Sequence, residues 1–301
     1  MLKDGIIKPA VSEWAQNVVL IRKADQTWRF AVDMRQLNDL TVKDSYTLPR
    51  IDTCLDALSG SVFFSSCDLR QAYWQVKLDE ESAPKTCFLT RKGSWQFEVL
   101  AYGMVNAPAC FERLMDRVLS GLTWQACLVY LDDVLVYAPT FEEHIKRLRA
   151  VLERFREANL KLKPSKCRFF QRKVKFLGNI VSADGILPDP EKVRAVQEWP
   201  VPNNLTAVRA FVALAAYYRR FIKDFAKVAR PLYDLTKKGY RFCWGPEQQV
   251  AFETLKDRLT TAPVLVPPMD GQEYILDTDC SNVSAGAVLQ QRQNGEIKVI
   301  A

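Results

Sequence analysis

Residues 126–137 read Ala-Cys-Leu-Val-Tyr-Leu-Asp-Asp-Val-Leu-Val-Tyr. Two apolar arms flank Asp132 and Asp133, a pattern that predicts a β-hairpin with both carboxylates at or near its turn. At an effective dielectric constant of ~20, two carboxylates ~4 Å apart repel by about 4 kcal/mol, so such a pair must protonate or take up a cation. Ligand sets made only of oxygen favour Mg²⁺ or Mn²⁺.

A third carboxylate follows another apolar segment. Residues 62–67 predict a buried strand that delivers Asp68 at its end. Three carboxylates can hold two divalent ions about 4 Å apart, which is an arrangement used for in-line phosphoryl transfer. The spacing alone does not bring Asp68 to Asp132, and two unrelated acidic turns remain the alternative.

Hydrophobic periodicity predicts the elements around these carboxylates. One helix opens at Asn106, and a second is capped by Thr140 and turns an apolar face inward. The inward residues of the second helix are Ile145, Leu148, Leu152 and Phe155. The other predicted elements before residue 184 are strands at 17–21 and 28–32, a short helix at 50–58 and a strand or hairpin at 176–181.

The second half of the chain has a different pattern. Prolines punctuate residues 184–268, and a helix capped by Thr206 is predicted there. A strand follows at 274–279. Residues 287–291 and 297–301 then predict a hairpin that turns at Asn294-Gly295.

The composition narrows the class of protein. The 301 residues are 48% hydrophobic and 26% charged, as in ordinary globular proteins, and no apolar run is long enough for a membrane span. The eight cysteines include no C-x-x-C pair, and the N-terminus lacks a signal peptide, so we expect reduced thiols in an intracellular protein. The single histidine, His144, is predicted to be a solvated helix residue, which leaves the chemistry to carboxylates, lysines or metals.

The positive charge is concentrated in one segment. Residues 141–175 contain 12 Lys and Arg against 4 Glu, a net charge of +8, whereas the whole chain carries +7. A polyanion lying along this segment is the natural partner. A solvated helix with incidental charge is the alternative.

Several segments together resemble reverse transcriptases. Tyr130-Leu-Asp-Asp133 is similar to their Y-x-D-D motif, and residues 64–73 resemble the first catalytic motif that contains Asp68. Further resemblance, in the family's order, is found at residues 28–38, 100–108, 161–167 and 176–178. Residues 217–221 and 277–281 are most similar to gypsy-type long-terminal-repeat retrotransposons.

The resemblance implies an α+β right-hand polymerase followed by part of an RNase H-like sheet. Fingers and palm would occupy residues 1–183, a thumb or connecting region residues 184–268, and an N-terminal RNase H fragment residues 269–301. The resemblance implies that upstream fingers structure and the later RNase H ligands fall outside the chain. Asp279 would then be one ligand of an incomplete RNase H site, so RNase H activity is expected to be absent.

The resemblance also implies a role for individual residues in adding deoxynucleotides to a primer on an RNA or DNA template. Asp68, Asp132 and Asp133 would hold two Mg²⁺ or Mn²⁺ ions, and Lys166 would act as a general acid. The implied contacts to the deoxynucleoside triphosphate are Lys23, Arg29, Tyr73, Tyr102 and Gly103, with Tyr73 as the gate against ribose. The implied primer grip, the turn that positions the primer 3′ end, is Phe176, Leu177 and Gly178.

Three residues depart from the family pattern without removing a ligand: Ala101 stands for Pro, Tyr102 for Phe and Ala213 for Gly. The leading interpretation is an RNA-directed DNA polymerase that acts in cytoplasmic particles with possible access to the nucleus. The alternatives are a non-catalytic nucleic-acid-binding remnant and an unrelated phosphohydrolase with three Asp. Oligomeric state is left open.

Overall fold

The computed structural model describes residues 1–22, 26–237, 239, 242–269, 271–280, 285–293 and 295–300, with the side chains of 279, 280, 285 and 286 left out. Contacts between Cα atoms divide the chain into two compact units. The first comprises residues 1–50 and 64–170, and the second comprises residues 51–63 and 171–301. The predicted boundaries at 183 and 268 follow family subdomains instead, and they stay predictions.

The strands of the first unit form a four-stranded sheet, a three-stranded sheet and a hairpin. They are β1 (Ile7–Pro9), β2 (Val18–Arg22), β3 (Trp28–Val32), β4 (Phe63–Asp68), β5 (Phe88–Thr90), β6 (Gly93–Phe97), β7 (Cys127–Tyr130), β8 (Asp133–Ala138) and β9 (Arg168–Gln171). The four-stranded sheet has the order β7-β8-β4-β9, and it carries two of the three candidate carboxylates on neighbouring strands.

The remaining strands belong to the second unit, where they form two antiparallel three-stranded sheets. They are β10 (Lys173–Phe176), β11 (Asn179–Ser182), β12 (Gly185–Pro188), β13 (Tyr274–Cys280), β14 (Ala285–Gln293) and β15 (Glu296–Val299). The hairpin predicted after residue 287 is confirmed, although Asn294 of its turn lies outside the described residues.

Helices of the first unit pack against its four-stranded sheet, and a run of helices separates the two sheets of the second unit in sequence. The helices are α1 (Arg35–Leu40), α2 (Ile51–Asp56), α3 (Ala107–Val118), α4 (Phe141–Glu157), α5 (Pro190–Gln197), α6 (Leu205–Tyr217), α7 (Phe225–Asp234) and α8 (Pro246–Thr260). Short 3-10 helices occur at Ala72–Gln75, Ala83–Thr86, Pro164–Lys166 and Arg219–Phe221. Within the described ranges, no helix is both long and apolar enough to cross a membrane.

Side chains cap the N-termini of two helices for which the sequence predicts a cap. Thr140 accepts a hydrogen bond from the Glu143 backbone N–H at 3.3 Å, which confirms it as the cap of α4. The cap predicted at Thr206 is wrong. Asn204 caps α6 instead, because its carboxamide oxygen accepts the Ala207 N–H at 2.9 Å, and Thr206 already lies inside the helix.

The core of the first unit lies between the four-stranded sheet and the helices α3 and α4. Phe111 and Met115 of α3 and Val151 of α4 are fully buried in it. The buried face of α4 follows the spacing 144, 148, 151 and 155, whereas the predicted Ile145 and Leu152 are only partly buried. The stripe is therefore rotated relative to the prediction, and it contains the histidine.

His144 is not a solvated residue, and the prediction that it is exposed is wrong. Its side chain is fully buried, and its Nε2 lies 2.6 Å from the hydroxyl oxygen of Ser65, which is also buried in β4. The Phe170 ring packs against the imidazole at 5.4 Å. The hydrogen bond between these two residues gives each buried polar group a partner at the interface of the helix and the sheet.

Acid is expected to destabilise the protein through His144. Burial, and secondarily the charge of Arg147, lowers the pKa of His144 from the ordinary value of 6.5. Below about pH 6.5 the unfolded chain therefore binds a proton at His144 that the folded chain excludes. The free energy of unfolding keeps its full value with respect to His144 above this pH, and it decreases as the pH falls below it. The slope of the free energy of unfolding against pH that is due to His144 approaches about 1.4 kcal/mol per pH unit.

Urea unfolding of the wild type and His144→Gln between about pH 7.5 and 5 measures this effect. The free energy of unfolding of the wild type should fall more steeply, because glutamine does not titrate and the carboxylates are common to both proteins. Parallel curves would show that His144 does not titrate on unfolding in this range.

Candidate active site

The turn that carries two of the carboxylates is short and strained. Strands β7 and β8 pair Tyr130 with Asp133, so Leu131 and Asp132 form a two-residue turn, and the predicted hairpin is confirmed. Leu131 has φ of 55°, in the left-handed region that a leucine seldom adopts. The Asp132 side chain is exposed at this turn.

Asp68 reaches the same place from a different part of the chain. It is the last residue of β4, which lies directly beside β8, the strand that begins with Asp133. The pKa of Asp133 is raised by loss of hydration and then by the negative charges of Asp132 and Asp68. Asp133 is therefore influenced by both other carboxylates, one of which lies 65 positions away in the sequence.

This carboxylate cluster has the chemistry of a divalent metal site. Repulsion within it favours a cation, and its donor atoms are oxygens, which suit Mg²⁺ or Mn²⁺. In the described part of the chain, no three such side chains converge closely enough to ligate one ion as they stand.

Lys166 supplies a positive charge to the cluster. Its Nζ lies 3.1 Å from Oδ2 of Asp68, and both side chains are partly open to solvent. The backbone N–H of Lys163 donates to the Asp68 carbonyl at 2.8 Å, which joins this loop to the end of β4.

Gln75, which the sequence analysis missed, supports the same loop. Its amide donates to the carbonyls of Arg70 and Lys161 at 2.8 and 3.0 Å, and its oxygen accepts the Lys161 N–H at 2.7 Å. The carboxamide is thus a bridge between the segment after Asp68 and the segment that leads to Lys166. No local pattern distinguishes such a glutamine from an exposed one.

The predicted nucleotide contacts include a group of aromatic rings beside the carboxylates. The rings of Tyr73 and Tyr102 lie 5.1 Å apart, and the Phe111 ring lies 5.7 Å from that of Tyr73. Burial and then the charge of Asp132 raise the pKa of both tyrosines, so their hydroxyls stay protonated. Gly103 follows in a turn with φ of 94°, a conformation suited to glycine.

Arg29 lies within electrostatic reach of Tyr102. It is in β3, paired with Ile21 of β2, and its side chain is exposed. The structure thus groups Arg29, Tyr73 and Tyr102 with the carboxylates of the first unit.

Lys23 lies outside the described residues, as does the side chain of Asp279, whose backbone belongs to β13. Phe176, Leu177 and Gly178 form the end of β10 and the turn before β11 in the second unit.

Glu112 is a second residue that the sequence analysis missed. It lies in α3 with 2% of its surface exposed, and its Oε2 accepts the backbone N–H of Leu131 at 2.8 Å. Burial raises its pKa, and the hydrogen bond from Leu131 opposes that rise. A buried carboxylate therefore holds the strained residue directly before Asp132. Its position at the edge of the apolar stripe of α3, beside Phe111, is the only sequence signal.

If the chain extends primers, as its resemblance to reverse transcriptases implies, Glu112→Leu should lower the rate of primer extension by up to about 10²-fold, because a loosened turn misplaces Asp132. Glu112→Gln should keep most of the rate, since its amide oxygen can still accept the Leu131 N–H. Single-turnover extension rates measure the difference. Met115→Ala, one helical turn away in the same core, controls for loss of stability, and an equal loss in Gln and Leu variants would contradict the hydrogen-bond role.

Comparison with protein families identifies two regions. A family described as "Reverse transcriptase (RNA-dependent DNA polymerase)" matches residues 21–181, and one described as "RNase H-like domain found in reverse transcriptase" matches residues 244–301. The first range contains all three carboxylates of the cluster, and it covers more than half of the chain.

The relatives are polyproteins of transposable elements. The retrovirus-related Pol polyprotein from transposon 412 of Drosophila melanogaster is 39% identical over 301 residues, covering 98% of this chain and 24% of that protein. The corresponding polyprotein from transposon gypsy of the same organism is 36% identical, covering 97% and 30%. The transposon Tf2-3 polyprotein of Schizosaccharomyces pombe is 33% identical, covering 98% and 22%. The chain thus spans about a quarter of the length of these relatives.

Solved structures share the fold. A foamy viral protease-reverse transcriptase in complex with double-stranded DNA has a TM-score of 0.88 and 23% identity, with 100% of this chain and 53% of that chain covered. The same kind of protein in complex with an RNA/DNA hybrid has a TM-score of 0.83 and 23% identity, covering 100% and 40%. The likeness confirms the predicted α+β polymerase fold.

Proposed function

The chain belongs to the reverse transcriptase family, and from this premise we propose that it adds deoxynucleotides to a primer 3′-hydroxyl on an RNA or DNA template. The observation that carries the proposal is the placement of Asp68 at the end of β4, next to the strand β8 that begins with Asp133, where the charges of Asp132 and Asp68 both raise the pKa of Asp133. Two unrelated acidic turns would not share one electrostatic environment.

Asp68, Asp132 and Asp133 would hold two Mg²⁺ or Mn²⁺ ions. When bound, such ions lower the pKa of the primer hydroxyl and neutralise charge on the triphosphate. The carboxylates would orient these ions through a turn that Glu112 keeps in its strained conformation.

The remaining residues would bind and select the nucleotide. Arg29, with Lys23, would grip the triphosphate, because a guanidinium offers forked hydrogen bonds and an ammonium a point charge. The Tyr73 ring would exclude a ribose 2′-hydroxyl, and Tyr102 and Gly103 would line the sugar and base pocket. Lys166 Nζ, already beside Asp68, would donate a proton to an oxygen of the leaving pyrophosphate.

Template and primer would be bound chiefly through phosphates. The foamy viral proteins of similar fold were solved in complex with double-stranded DNA and with an RNA/DNA hybrid, which supports the same class of partner for this chain. The exposed Lys and Arg of residues 161–173 would supply part of the contact. The proposed place of action is a cytoplasmic particle, with possible access to the nucleus.

Primer extension by the purified 301-residue chain tests the proposal. With poly(rA)/oligo(dT), dTTP and Mg²⁺ or Mn²⁺, we expect extension that stops when a chelator removes the ions. Binding of the duplex should weaken steeply as the salt concentration rises, since several phosphate contacts release counterions. Tight, salt-sensitive binding without any extension would favour the alternative of a non-catalytic nucleic-acid-binding protein.

A further inference from the structure

The turn between β10 and β11 has an unusual backbone. The strands pair Phe176 with Asn179, so Leu177 and Gly178 form a two-residue turn. Both residues have positive φ, 45° and 67°, as the type I′ hairpin turn requires. A glycine adopts this conformation freely, but a leucine at the first position does so only when surrounding contacts hold it there.

Two consecutive tyrosines at the end of α6 provide such contacts. The hydroxyl of Tyr217 donates to the Leu177 carbonyl at 2.7 Å, and the hydroxyl of Tyr218 donates to the Gly178 carbonyl at 2.8 Å. A Cβ atom on residue 178 would lie 3.3–3.4 Å from both hydroxyl oxygens, which is tighter than ordinary contact. The tyrosines therefore reach both carbonyls of the turn and leave little room for a side chain at its second position.

The surroundings make Tyr218 a permanent donor. Only 1% of its surface is exposed, and burial raises its pKa to about 12, so the hydroxyl keeps its proton at neutral pH. Tyr217 packs edge-on against it at 4.9 Å but is 44% exposed. One ring thus anchors the pair in the core, while the other stands at the surface beside the turn.

The other hydrogen bonds at the turn complete its support. The side-chain amide of Asn179 donates to the Leu177 carbonyl at 2.7 Å, and the backbone N–H of Asp189 donates to the Gly178 carbonyl at 3.2 Å. Each carbonyl therefore accepts one bond from a local donor and one from a tyrosine of α6. The local donors belong to the hairpin and the start of α5, so the tyrosines are what tie the turn to the helical region that follows.

We propose that Tyr217 and Tyr218 are positioning residues that fix the Leu177-Gly178 turn to α6 and thereby set where this turn holds the primer 3′ end. The second half of this inference rests on the proposed polymerase function and on the assignment of the primer grip. The first half concerns the hairpin alone. The two parts have separate measurements.

Hydrogen–deuterium exchange tests the first part in the full 301-residue chain. In the Tyr217→Phe/Tyr218→Phe double variant, amides of the peptide spanning residues 173–182 should exchange at least about tenfold faster, because the turn opens more often without its two donors. Tyr233→Phe is the matched control, since Tyr233 is an exposed tyrosine of α7 in the same unit. Exchange equal to that of the control would overturn the positioning role.

Steady-state extension tests the second part. The double variant should lose at least about tenfold in kcat/KM for the template–primer, while the KM for the deoxynucleotide and the thermal midpoint stay near those of the Tyr233→Phe control. Faster exchange with unchanged extension would overturn the link to the primer end. A wild-type chain that extends no primer would instead count against the proposed function, and the exchange measurement would still decide the role of the tyrosines.

Discussion

Asp132→Asn is expected to lower primer extension at least about 10³-fold, with template–primer binding unchanged within a few-fold. Asn has nearly the same shape as Asp, but it is neutral and cannot balance the charge of a divalent ion. Asp132 lies at the exposed tip of the β7–β8 turn, and its charge and that of Asp68 both raise the pKa of Asp133. Losing one of three charges should therefore weaken ion binding far more than it changes the fold.

Single-turnover extension and fluorescence-detected duplex binding measure the two effects of Asp132→Asn separately. Glu80→Gln is the matched control, because Glu80 is an exposed carboxylate in a turn of the same unit and outside the site. Extension at the wild-type rate in Asp132→Asn would show that the metal assignment is wrong. Loss of duplex binding in parallel would show that the substitution damaged the fold.

Tyr73→Val is expected to reduce the preference for deoxynucleotides over ribonucleotides by about 10²-fold, mainly by admitting the ribonucleotide. The Tyr73 ring packs against the rings of Tyr102 and Phe111, and the charge of Asp132 contributes to the raised pKa of its hydroxyl. An aromatic ring in this place would collide with a 2′-hydroxyl, whereas the smaller valine leaves room for it.

The ratio of kcat/KM for dTTP and UTP on the same template–primer measures this discrimination. Tyr73→Phe is the matched variant, because it keeps the ring and removes only the hydroxyl, so its discrimination should equal that of the wild type. Discrimination that falls equally in the Phe and Val variants would assign the selection to the hydroxyl. Discrimination unchanged in Tyr73→Val would remove the gate from the proposed mechanism.

The local pattern was sufficient to predict most secondary structure near the site. The apolar arms around Asp132 form β7 and β8, and Asn106 and Thr140 are the N-caps of α3 and α4. These features depend on residues a few positions apart, so their signals can be recognised in a short window. The errors at Thr206 and His144 came from choosing between neighbouring residues that local rules rank almost equally.

The candidate site could be predicted only as far as its family motifs extend. Asp68, Asp132, Lys166 and Tyr73 were named from the sequence, and the structure brings them together in the first unit. Glu112 and Gln75 were not named, because a buried Glu in a helix and a bridging Gln have no distinctive local pattern. Their importance follows from hydrogen bonds to backbone atoms elsewhere in the chain.

The amino-acid sequence by itself determined the alternation that makes the β7–β8 hairpin, the carboxylates at its turn and the membership of a polymerase family. Only the tertiary structure decided that the Leu131 N–H is held by Glu112, that His144 is buried against Ser65, and that Tyr217 and Tyr218 hold the turn at Gly178. These contacts join residues 19, 79 and 40 positions apart. Such pairs meet because packing of the hydrophobic core brings their backbones together, and no periodicity within either segment encodes the identity of the partner.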